Sequence, residues 1–443
     1  MKSYFYRLVH QYLSLYILPN NSVVEIDPRS PLLIRSFPQG KVSFRPHAQD
    51  LLIQSQFSRE EILPFDEIKE RHHNYLLLSG IVHEERDIQA LLGSIHGLCE
   101  SQTRLILTYY SSLWRPFANL ASRLGLRSKQ PEANWLAHED IENLLGLEEF
   151  ELIRLDHKIL LPIYIPLLST FINRYLAPLP LIKHFCLLNI ALARPRISPV
   201  HLVPPSVSII VPARNEAGNI KAIIERIPEM GPHDEIIFIE GNSTDDTWST
   251  IQTAQKQYGL TKNIVIDQQA GKGKGDAVRK GFSLAKNEIL MILDADMTVP
   301  PEDLPKFYQA IKNNRGEFIN GTRLVYPMEK EAMRFINLLG NKFFALAFSF
   351  VLGQRFKDTL CGTKVISRTN YAQLAANRSY FGEFDPFGDF DLIFGAARMG
   401  LKIVEVPITY RERTYGETNI SRWRHGAILL AMLFFSARKI KFL

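Results

Sequence analysis

Short apolar runs, each closing on a polar cluster, recur through the second half of the chain. Val207–Pro212 (VSIIVP) predicts a buried strand, and Asn219–Ile227 the helix that follows it. Glu235–Glu240 (EIIFIE), Asn263–Asp267 and Glu288–Leu293 (EILMIL) predict further strands. Helices are expected from Ser243 to Gly259 and from Asp276 to Ala285, the first opened by Ser243 and Asp246 at capping-box spacing. Strands alternating with helices argue a mostly parallel sheet with helices on its faces, an α/β fold.

The first half is less regular. Asn21–Leu33 (NSVVEIDPRSPLL), Asn74–Gly80 (NYLLLSG) and Arg104–Tyr109 (RLILTY) carry strand-like runs, and Asn134–Leu145 is a further element. Prolines at 199, 204 and 205 remove amide donors and restrict their neighbours, so 198–205 reads as a linker. The expected division is a domain over 1–197, a second over 206–420, and a basic amphipathic tail over 421–443. No stretch supplies the ~20 uninterrupted apolar residues of a spanning helix. Residues 159–180 are broken by Asn173, Arg174 and four prolines.

At ~150 residues per domain, 443 residues allow two or three. A 46% hydrophobic share with 22% charged residues excludes a disordered chain. Cys99, Cys186 and Cys361 are too scattered for a disulfide framework or a cysteine metal site, which suits a reducing, cytosolic compartment. Tyr12–Pro19 lacks a small-residue cleavage site, so no leader is expected. The net charge of +6 is concentrated at the end, where Arg422, Arg424, Arg438, Lys439 and Lys441 flank an apolar stripe of Ile428, Leu429, Met432, Phe435 and Ile440. That pattern fits an anionic membrane surface better than nucleic acid, which is not an expected partner.

Ligands of open α/β sheets sit beyond the carboxyl ends of the strands. Here those ends carry Arg214-Asn215-Glu216, Glu240-Gly241-Asn242 and Asp294-Ala295-Asp296. Two carboxylates one residue apart suit a hard divalent cation that shares its shell with a diphosphate. Gly271-Lys272-Gly273-Lys274-Gly275 lets backbone approach a ligand closely, while Lys272, Lys274 and Arg279 bring positive charge.

VSIIVPARNEAGNI, EIIFIEGNSTDDT, AGKGKGDAVRKGF, ILDADMTVPPEDL, DTLCGTKVISR, FGDFDLIFGAARMG and ITYRERTYGETNISRWRHG follow in order. Together they resemble a family 2 glycosyltransferase of the dolichyl- or polyprenyl-phosphate mannosyl/glucosyltransferase type, over residues 205–443. The resemblance implies a GT-A fold, a UDP- or GDP-linked sugar donor, a lipid-phosphate acceptor, Mg²⁺ or Mn²⁺, and inversion at the anomeric carbon. It implies nucleotide contacts at Pro212, Ala213, Arg214, Glu216 and Glu240, a diphosphate-side lysine at Lys274, and metal ligands at Asp294 and Asp296. Thr298 stands where the family often has a glutamine ligand, and Gly241-Asn242 replaces its usual Asp-Gly. Asp389 and Asp391 match an acidic acceptor-side motif, one of them a general base if the acceptor is a hydroxyl. Arg411, Arg413 and Arg422 would face phosphate. Glu331–Gly353 would form an interfacial helix pair.

Residues 1–197 resemble a class I S-adenosylmethionine-dependent methyltransferase that has lost its glycine loop. Asp27-Pro28-Arg29-Ser30-Pro31 follows the first strand, and prolines there hinder backbone approach to a cofactor. His83-Glu84 reads as a remnant rather than a catalytic dyad. The resulting expectation is a glycosyltransferase peripheral to a cytoplasmic membrane face. The alternatives are a bifunctional methyltransferase/glycosyltransferase and an inactive two-domain scaffold.

Overall fold

The computed structural model describes residues 2–46, 51–125, 134–197, 202–326, 335–380, 388–413, 415 and 422–442. The chain divides into two compact units: Met1–Ile197 with Arg438–Leu443, and Ser198–Ala437. Most of the expected linker, 198–201, lies outside the described residues.

The first unit is built on β1 (Val23–Ile26), β2 (Gly40–Ser43), β3 (Tyr75–Ser79), β4 (Arg104–Tyr110), β5 (Phe150–Lys158) and β6 (Leu188–Pro195). They form one sheet in the order β2-β1-β3-β4-β6-β5. The pairs β1/β2, β1/β3 and β3/β4 are parallel, while β6 runs antiparallel to both β4 and β5. Alternate residues supply two cores: Val24, Leu76 and Leu105 on one face, Val23, Leu77 and Ile106 on the other. Burial on both faces is why these strands read as continuous apolar runs.

β5 breaks that rule. Arg154, Asp156 and Lys158 alternate along it and are all buried on one face. Asp156 gathers the Arg154 guanidinium at 2.5 Å, the Lys441 ammonium at 3.3 Å and the Tyr16 hydroxyl, which donates to it. Burial would push its carboxyl up, but Arg154, Lys441 and Lys158 outweigh this and hold it well below the usual range. Lys158 lies over the Tyr12 ring at 4.9 Å, and burial lowers its ammonium to about 8.

This cluster corrects the expectation of a free basic tail. Lys441 is buried against Asp156, and the Phe442 carbonyl accepts from Arg174 Nε. The tail's apolar stripe is largely consumed in packing, with Leu429, Met432 and Ile440 all buried. No helix among the described residues is long and apolar enough to cross a membrane.

The second unit has β7 (Val207–Ala213), β8 (Glu235–Glu240), β9 (Asn263–Gln268), β10 (Ile289–Ile292), β11 (Phe318–Thr322), β12 (Lys364–Ser367) and β13 (Ile403–Pro407). Their order is β13-β11-β12-β10-β7-β8-β9. β10, β7, β8 and β9 are parallel, and β12 is antiparallel to its neighbours β10 and β11. The chain leaves β7 toward β8 on one side and returns to β10 on the other, which opens a crevice at their carboxyl ends. Because β12 runs the opposite way, its first residue, Lys364, arrives at that same edge.

The helices follow as Ile220–Arg226, Thr247–Tyr258 and Lys274–Leu284. Ser243 does not cap the second of them: its hydroxyl accepts from the Asn215 amide, and Asp245 receives the Thr247 amide and hydroxyl. Phe335–Leu352 is one helix, packing Phe348 against Phe390 and Phe394 while leaving Leu346 exposed; 331–334 lie outside the described residues.

Removing one partner of a buried ion cluster strands the others. Asp156→Asn should therefore cost the first unit ~3–5 kcal/mol. Denaturant unfolding is expected to show this as an earlier transition of the first unit with the second unchanged. Coincident wild-type transitions would contradict it.

Candidate active site

Three strand ends meet at the crevice. After β7 the chain turns through Asn215, with φ 57°, and after β8 through Asn242, also φ 57°. Asparagine tolerates that left-handed backbone better than most residues. Ser243 bonds both ends, its hydroxyl accepting from the Asn215 amide at 3.0 Å and its own amide donating to Glu240 Oε1 at 2.5 Å. Glu240 is buried, with Oε2 accepting from Gln268 at the end of β9. Pro212 and Ala213 pair with Ile239 and Glu240, and Arg214 beside them is exposed.

Asp294 and Asp296 follow β10, and each is held by a cation from elsewhere. Lys274 Nζ lies 2.6 Å from Asp294 and 3.8 Å from Asp389. Arg413 Nη2 lies 2.7 Å from Asp296, and its Nη1 3.6 Å from Glu216. Thr298 donates through its amide and its hydroxyl to Asp296 Oδ1, at 3.1 and 2.8 Å. It therefore orients the carboxylate rather than standing beside it as an equal.

The charges respond in kind. Burial raises Asp294, but Lys274 outweighs it and the carboxyl is lowered. Burial lowers Lys274, and Asp294 with Asp389 outweigh it, so the ammonium is raised. Glu216 is pushed up to about 7, chiefly by burial and against the pull of Arg413.

The two acids expected on the acceptor side part company. Asp389 is buried and joins the network through Lys274 and through Lys364, 3.0 Å away. Asp391, in the first turn of the helix Phe390–Arg398, pairs instead with Arg378 at 2.7 Å. The structure thus brings Asp389 to the crevice and gives Asp391 a different partner. Arg411 ties its segment to the site by its amide, which donates to the Thr298 carbonyl, while its side chain is exposed. The Arg422 side chain lies outside the described residues.

The glycosyl transferase family 2 model matches residues 208–373. "Dolichyl-phosphate hexose transferase" of Haloferax volcanii is 30% identical over 214 residues, which cover 48% of this chain and 84% of the relative. The chain belongs to glycosyl transferase family 2. That places it among the transferase enzymes. It is also 29% identical to "Glycosyltransferase AglJ" of the same organism, over 53% of this chain and 73% of the relative. A similar match, 29% identity over 48% of the chain, joins it to "Dolichol-phosphate mannosyltransferase" of Pyrococcus furiosus, of which it spans only 59%.

Sequence reasoning about this glycosyltransferase missed Lys364, Gly362 and Arg323. Arg323 grips the fully buried Asp358 through Nε at 2.6 Å and Nη2 at 2.8 Å, and its charge also reaches Asp294. The signal was present as DTLCGTK, a polar run entering a strand, but only the reversed direction of β12 places it at the site.

A methyl group at Gly362 would fall 1.8 Å from Asp294 Oδ2 and 2.4 Å from Lys274 Nζ. Both atoms are tips of side chains, so Gly362→Ala should fold normally while driving the pair apart. Transferase activity is expected to fall by ~100-fold or more, with the melting temperature near wild type. An active Gly362→Ala variant would show that the pair need not hold this geometry.

Proposed function

We propose that this chain is an inverting GT-A glycosyltransferase that moves a hexose from a UDP- or GDP-linked donor to a polyprenyl or dolichyl phosphate at the cytoplasmic face of a membrane. The observation that carries this reading is Lys274, a single ammonium between the donor-side Asp294 and the acceptor-side Asp389. A group that spans both sides suits a reaction in which a diphosphate departs as a phosphate arrives.

In this reading Pro212, Ala213, Arg214, Glu216 and Glu240 hold the nucleoside. Asp294 and Asp296 would hold Mg²⁺ or Mn²⁺. No cluster of three metal-ligating side chains occurs among the described residues, so a cation there would complete its shell with water and diphosphate oxygens, the usual habit of Mg²⁺. Both carboxylates are hard oxygen donors, the ligand type such a cation takes, and the absence of a side chain at 362 keeps Asp294 Oδ2 from being displaced. When bound, the cation would supply neutralising charge to the leaving diphosphate.

Lys274 is then placed to orient the diphosphate, and Arg413 to meet a phosphate oxygen with its planar fork. An acceptor phosphate oxygen attacks the anomeric carbon from the face opposite the diphosphate. As that bond forms, the sugar–diphosphate bond breaks and its electron pair leaves with the diphosphate. A lipid phosphate, with a second pKa near ~6, is largely ionised already. Asp389 therefore positions the acceptor rather than deprotonating it, and the resemblance to the lipid-phosphate group of the family supports this acceptor.

The first unit fits a methyltransferase-like domain that no longer takes its cofactor. At the crevice between β1 and β3, Arg29 pairs with Glu84 at 3.0 Å, and Arg45 joins Asp27 at 2.5 Å to Glu85 at 2.6 Å. Side chains thus fill the position where a nucleoside cofactor would enter. Both His83 ring nitrogens are engaged by backbone, Nε2 by the Tyr110 amide and Nδ1 by the Asn134 carbonyl.

Asp296→Asn keeps size and removes charge. It is expected to lower transfer from a nucleotide-sugar to a short-chain isoprenyl phosphate by ~100-fold or more, with the fold intact. Near-wild-type turnover would refute the metal-side assignment. Isothermal titration with UDP- and GDP-sugars in the presence of Mn²⁺ identifies the donor.

A further inference from the structure

Besides the tail, where Lys441, Leu429, Met432 and Ile440 are buried, a different surface carries the features of a membrane contact. It lies entirely on the first unit. The helix Arg115–Arg123 exposes Phe117 and Leu120, and segment 159–187 exposes Tyr164, Leu167, Leu181 and Phe185. Leu167 is 88% exposed and Leu181 84%, and Ile163, Leu168 and Phe171 of the same segment are exposed with them, so these are not single scattered residues. The two segments form one face: Trp114 Nε1 donates to the Phe185 carbonyl at 2.8 Å, and the Ser111 amide donates to the Leu187 carbonyl at 2.8 Å.

The charge on this face has one sign. Neither 111–125 nor 159–187 contains an aspartate or glutamate, while Arg115, Arg123, Arg174 and Lys183 lie within them. Arg115 and Arg123 are exposed on the helix itself. The chain end adds to the same side, with Phe442 stacked on Tyr175 at 6.3 Å and Arg174 donating to the Phe442 carbonyl. Aliphatic tips, tyrosine and tryptophan beside them, and a rim of cations match a surface that is apolar beneath and anionic at its boundary.

We infer that the first unit docks on an anionic lipid bilayer through the helix Arg115–Arg123 and segment 159–187. Arg115 and Arg123 face the headgroups, and Leu167, Leu181 and Phe185 enter the acyl boundary. This does not rest on the acceptor assigned above, since none of these residues belongs to the transferase unit.

The test is sedimentation of the full chain with vesicles of phosphatidylcholine alone or mixed with phosphatidylglycerol. Binding should be at least ~10-fold tighter to the anionic vesicles and should weaken as salt rises. Leu167→Glu/Leu181→Glu/Phe185→Glu and Arg115→Ser/Arg123→Ser should each lose ~10-fold or more, with wild-type melting temperatures and undiminished hydrolysis of the donor in solution. Equal binding to both vesicle types, binding to neither, or wild-type affinity in the triple variant would overturn the proposal. So would a dimer that the triple variant dissociates without any vesicle binding. Vesicle binding by a chain that transfers no sugar would leave the docking face standing and remove only the acceptor reading.

Discussion

Glu216, Asp294, Asp296 and Asp389 gather at one crevice, and carboxylates drawn together repel one another unless cations stand between them. The second unit solves this with Lys274, Lys364 and Arg413, each delivered by a different part of the chain. Lys274 opens a helix after a glycine loop, Lys364 opens the reversed strand, and Arg413 follows the last strand. The charge balance therefore ties a helix start, a strand start and the segment after the last strand to Asp389 and to the acids that follow β7 and β10. A ligand bringing its own charges would redistribute these pairs, and every contributing element would feel the change.

The first unit meets the same problem without a crevice. Asp156 sits among Arg154, Lys158 and Lys441 in a nearly dry interior, where the surplus is positive. Burial lowers Lys158, and the Tyr12 ring takes part of the burden that a second carboxylate would otherwise carry. Such clusters are weak as a source of stability but costly to break.

Legibility followed the locality of the signal. β7, β8 and β10 were readable because buried parallel strands are continuous apolar runs, the half-buried edge strand β9 by its short apolar run alone, and their polar ends announced the crevice. The first unit's strands at Val23, Tyr75 and Arg104 were readable for the same reason. β5 was not, since Arg154, Asp156 and Lys158 give it the pattern of a surface strand. Lys364 and Gly362 escaped because their role depends on strand direction, a property of topology. Asp389 and Asp391 looked equivalent until a helix start sent one to Lys364 and the other to Arg378. At the tail, Lys441 turns inward to Asp156 while Arg438 stays exposed, a difference that composition does not carry.

The last feature has a temporal meaning. Lys441 enters the interior of a unit made of Met1–Ile197 and Arg438–Leu443, and residues 198–437 lie between. On the ribosome the N-terminal part emerges first, at ~5–20 residues per second. All six strands of its sheet are then available, but Lys441 can reach Asp156 only after the second unit has been made. During that interval Arg154 and Lys158 share one aspartate in an unfinished core. The ion cluster of the first unit is therefore closed last, by a lysine made after the whole of the second unit.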